Sequence, residues 1–94
     1  MDDPRGMLKK ADSLLAGGNY REAVIHYMGV AQFYAAQGFA LKSVAIWKQI
    51  RTIAAREHDP RLDADARAQM IPLYRSLGLE TDALALEAEG SSLH

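Results

Sequence analysis

The chain has 94 residues, 49% hydrophobic and 24% charged, the composition of one folded domain with a modest core rather than of a disordered segment. A net charge of -1 lacks the basic excess of a nucleic-acid binder, so no nucleic-acid partner is expected. The absence of cysteine excludes disulfides and thiolate metal sites.

The opening MDDPRGMLKK is acidic at its start and has no apolar run, so no signal peptide is expected. No apolar stretch approaches the roughly 20 residues of a membrane span. A cytoplasmic setting without membrane contact follows as the expectation. Asp3-Pro4 reads as a helix start, with Asp as N-cap and Pro at the first helical position. A first helix over 4–16 then carries Met7, Leu8, Ala11, Leu14 and Leu15 on one face, and Gly17-Gly18 stops it.

Asn19 opens a second helix over 20–37, and Glu22 completes a capping-box pattern. Its apolar residues run nearly all the way round, so it is covered on more than one side. Ile25, Met28 and Phe33 lie in or beside the more polar arc of Glu22, His26, Gly29, Gln32 and Ala36; they are either core or exposed for a reason. Gly38 turns the chain into a third helix over 40–56. There Ala40, Ser43, Val44, Trp47, Ile50 and Ala54 form the inward stripe, opposite a solvated face of Lys42, Lys48, Gln49, Thr52 and Arg56.

Asp59-Pro60 repeats the start signal for a fourth helix over 60–77, with Asp63 and Asp65 suited to its positive end. Ala66, Met70, Ile71, Tyr74 and Leu77 face inward. Pro72 lies inside and is expected to kink or divide the helix. Gly78 ends it. A last helix over 80–89 carries Ala83, Leu84, Leu86 and Ala88, and the closing GSSLH is expected to fray.

Chemical signals are sparse. His26, His58 and His94 fall on different elements without the four-residue pairing of a helical zinc site. Ser13, Ser43 and Ser76 lack a G-x-S-x-G context, and no GK[ST] follows Gly17-Gly18. The Asp residues at helix starts are accounted for by capping. Neither enzyme activity nor a cofactor is expected.

Gly18, Gly38 and Gly78 each end a helix and are followed, five residues later, by Ala23, Ser43 and Ala83. A small residue there allows two helices to cross closely near their hinge. This pattern resembles the tetratricopeptide repeat. Tyr27, Val30, Ala31 and Tyr34 before Gly38, and Ser43, Trp47 and Ile50 after it, fill that family's positions; Lys10, Arg67, Ile71, Glu87 and Gly90 depart from them. The string FYAAQGFALKSVAIWKQI is also similar to segments of repeat proteins of myxobacteria and their relatives. The glycines lie 20 and 40 residues apart, against a family period of about 34. The second helix is therefore expected to serve two hairpins, and about six extra residues are expected between His58 and Asp63.

The resemblance implies an all-α fold in one domain over 1–94, with five antiparallel helices forming a short superhelix of helix-turn-helix hairpins. It also implies a non-catalytic module that holds a peptide or helix of another protein in a groove between helices two and four. That groove would be lined by Arg5 and Lys9; by Ile25, Met28, Gly29 and Gln32; and by Gln69 and Arg75, with Leu8, Asp12, Asp65 and Pro72 beside them. A self-associating homodimer is the first alternative. A small helical enzyme or phosphotransfer protein acting through His26 is the second.

Overall fold

The proline starts behave as the sequence suggests. In the computed structural model, which describes residues 3–91, helix α1 spans Pro4–Ala16, and the Asp3 carboxylate accepts from the Arg5 N–H at 3.4 Å. Helix α4 spans Pro60–Ser76, and Asp59 Oδ1 accepts from the Leu62 N–H at 3.1 Å. Helices α2 (Tyr20–Ala36), α3 (Ala40–Arg56) and α5 (Glu80–Ser91) complete an all-α chain, with no strand among the described residues. The capping box expected at Asn19 does not form: its side chain makes no cap bond, and its carbonyl accepts the Ala23 N–H at 3.0 Å. Gln37 and Leu77 are C-caps rather than helical residues, while Gly90 and Ser91 continue α5 where fraying was expected. The rest of that closing segment, 92–94, lies outside the described residues.

The four turns are copies of one another at a spacing of 20 residues. Gly18, Gly38 and Gly78 take the left-handed conformation, with φ of 87°, 84° and 75°, and His58 takes it between them at 53°. After each, the next N–H reaches back to close the helix end: Asn19 to Leu14 at 2.9 Å, Phe39 to Tyr34 at 2.8 Å, Asp59 to Ala54 at 2.8 Å and Leu79 to Tyr74 at 2.9 Å. This six-residue closure satisfies carbonyls that the helix leaves open. There is thus no insertion between His58 and Asp63. The interval from Gly38 to Gly78 is two such units, with His58 standing where the other turns have glycine. An L-residue there is strained by about 1–2 kcal/mol, and glycine costs part of that in unfolded-state freedom. His58→Gly should therefore raise stability by about 0.5–1 kcal/mol, read as a higher urea midpoint; a lower midpoint would contradict the assignment of this turn.

Packing repeats in the same phase. Five residues after each left-handed position come Ala23, Ser43, Asp63 and Ala83, and the first, second and fourth are fully buried. Ser43 Oγ donates to the Ala31 carbonyl at 2.7 Å, tying α3 to α2 where they approach closely. Tyr27 and Trp47 occupy equivalent buried places, as do Val30, Ile50 and Met70. Extensive packing occurs only between consecutive helices, and the array is flat, at 33 × 31 × 12 Å. Tyr20 Oη donates to Asp59 Oδ2 at 3.4 Å, which brings the α1–α2 and α3–α4 turns together.

Pro72 neither divides α4 nor ends it. It and Ala68, whose carbonyl it leaves without a helical donor, are both exposed residues. Among the described residues no helix is long and apolar enough to cross a membrane.

Candidate functional site

The residues assigned to a groove lie on three helices, α1, α2 and α4. Arg5 and Lys9 are exposed on α1, Gln32 on α2 and Gln69 on α4. Ile25 is 66% exposed, which settles it as surface. Met28 is half-buried and packs against the core, so it contributes to stability as well as to surface. Gly29 lies beside α1: a Cβ there would stand 3.1 Å from Met7 Cε. Arg75 is held by Glu80 at 3.2 Å and Glu87 at 2.6 Å, toward α5. Finally, α3 is the packed neighbour of both α2 and α4.

The polar groups of the interior link helices. The Tyr27 hydroxyl donates to the Asp12 carboxylate, joining α2 to α1. Burial, then the hydrogen bond and charge of Asp12, push its pKa up to about 12, so the phenol keeps its proton. His26 is half-buried in a notch of about 260 Å³ beside Asp3, Gly6, Met7 and Lys10. His58 is in its turn, and His94 lies outside the described residues. Among those residues no three His, Cys, Asp or Glu side chains form a metal-binding group.

A second polar cluster replaces apolar core in α4. Arg67, only 6% exposed, stands where α2 has Tyr27 and α3 has Trp47, and Asp63 stands at the small-residue place. Asp63 accepts from Arg67 Nε at 2.9 Å and from Arg51 Nε at 2.8 Å, and Arg51 also reaches Glu89 at 2.7 Å. Gly90 leaves the room that Arg67 needs, since a Cβ there would come within 2.9 Å of Nη1. Burial raises the Asp63 pKa, but the hydrogen bonds and charges of Arg51 and Arg67 outweigh it and hold the carboxyl below its ordinary value.

The surface has one feature that the core does not explain. Of the seven large hydrophobic residues exposed among the described residues, six flank the Gly38 or Gly78 turn: Phe33, Phe39, Leu41, Leu77, Leu79 and Leu84. Leu41 is 64% exposed, Leu84 54% and Phe39 50%. Phe33 and Phe39 both stand edge-on to Tyr34, with centroids 6.0 and 6.4 Å away, and Lys42 Nζ lies 5.0 Å from the Phe39 ring. The places that correspond to Phe39 and Leu41 are polar at the other two turns, Asn19 and Arg21, then Asp59 and Arg61; at the Gly78 turn they are Leu79 and Thr81. The contrast between Asn19, Phe39, Asp59 and Leu79 is visible in the sequence once the 20-residue phase is known. Without His58 as a turn residue that phase is hidden, and these residues read as ordinary junctions.

No family model, curated protein or solved structure matches the chain.

Proposed function

We propose that this protein is a non-catalytic protein-interaction module of the cytoplasm, built as a tetratricopeptide-like superhelix of antiparallel hairpins, and that it binds through the end carrying the Gly38 and Gly78 turns. The clustering of exposed Phe39, Leu41, Leu79 and Leu84 at two of four equivalent turns carries this reading. Seventeen-residue helices are about 25 Å long. In antiparallel hairpins each one carries the chain across the array, so the two apolar turns share the end opposite Asn19 and Asp59. An apolar surface rimmed by charge is what a protein partner covers. The flanking Glu80–Arg75 pair and Lys42 supply such a rim. The net charge of -1 favours protein over nucleic acid.

The test is a pull-down with three baits: wild type, Leu41→Glu/Leu79→Glu and Ile25→Glu. All three should keep wild-type helicity by circular dichroism, because each site is solvent-exposed. The double variant should lose the partner and Ile25→Glu should keep it. The reverse outcome would return the contact surface to the outer face of α2.

A further inference from the structure

We infer that the apolar end is an isologous contact with a second copy of this chain, in which the Gly38 half of one copy meets the Gly78 half of the other. The inference rests on the reading of that end as the contact surface and adds the identity of the occupant. A two-fold contact requires a surface that complements itself, so that what one half offers the other half accepts. The two halves are related by the repeat. Phe39 and Leu79 occupy equivalent places and are both apolar, and Lys42 and Asp82 occupy equivalent places with opposite charge. Both charged residues are exposed in the first turn of their helices. A two-fold axis between the halves sets Phe39 and Leu41 on the second copy's Leu79 and Leu84, and Lys42 opposite the second copy's Asp82, twice. A partner of one charge sign would leave one half of the end facing like charge, which disfavours it.

The test uses the full chain in sedimentation experiments over a tenfold concentration range at low ionic strength. Wild type should move from near the mass of one chain toward that of two as the concentration rises. Lys42→Glu alone places two acidic groups opposite each other at both contacts, and Asp82→Lys alone places two basic ones. Each should weaken the dimer about tenfold. An equimolar mixture of the two variants restores an opposite-charge pair at both contacts and should return the dissociation constant to within about twofold of wild type. A mixture no tighter than the single variants would overturn the two-fold pairing. Wild type at the mass of one chain throughout would overturn the second copy as occupant, while the pull-down above would still decide whether the end binds another protein. A dimer that survives Leu41→Glu/Leu79→Glu would overturn this inference by placing the contact elsewhere, and the pull-down would decide the apolar-end reading separately.

Discussion

Replacement of Trp47 by alanine should cost about 3–5 kcal/mol. The side chain is 3% exposed in the middle of α3, which packs against both α2 and α4. In a nearest-neighbour array such a helix is the joint between the two halves, so a cavity there weakens both interfaces. Total stability for a domain of this size is about 5–14 kcal/mol, and the loss should lower the thermal midpoint by roughly 12–40 °C. A shift of only a few degrees would mean that α3 is not the central element. Thermal unfolding followed by circular dichroism is sufficient to decide.

The second large effect is expected at Asp63. Asp63→Ala removes the carboxylate that accepts from Arg67 Nε and takes an ion-pair partner from a guanidinium that is only 6% exposed. Losing one partner of a buried ion pair costs about 3–5 kcal/mol; because the Asp63 side chain retains 28% exposure, about 2–3 kcal/mol is expected here. Adding Arg67→Met takes away the stranded charge and should recover at least half of the loss, because the equivalent places in α2 and α3 already hold apolar side chains. The double-mutant cycle should thus show strong coupling. The Asp63 carboxyl titrates below its ordinary value, so its contribution is present above the unfolded pKa and is lost as the pH falls through the folded one. The Asp63→Ala variant should accordingly lose less stability on acidification than wild type. Additive single and double losses would contradict the account of this network.

The helices themselves were legible in the sequence, because proline, aspartate and glycine act locally at helix ends. Gly38 and Asp59-Pro60 place their boundaries to within a residue. What escaped depended on neighbours that a linear reading does not supply. His58 hides the fourth turn, since a strained histidine leaves no compositional mark. Asp63 looks like an acid placed for the helix dipole, yet it occupies the small-residue crossing site and is stabilised there by Arg51 and Arg67 from two helices. Nothing in the sequence places Met7 of α1 beside Gly29. Pro72 signals a division of α4, and the helix runs through it.

The candidate surface was the least legible part. Apolar residues in a helix such as Ile25 attract notice because periodicity gives them a face. Apolar residues in turns, such as Phe39 and Leu79, have no such frame, and only comparison with the polar turns at Asn19 and Asp59 singles them out.

The most direct test of the central claim is a residue-resolved amide spectrum of the wild-type chain at two concentrations tenfold apart. The account predicts concentration-dependent shifts confined to residues flanking Gly38 and Gly78, with Lys42 and Asp82 among the largest. Shifts centred on Ile25, Gln32 and Gln69, or on the turns at Asn19 and Asp59, would contradict it.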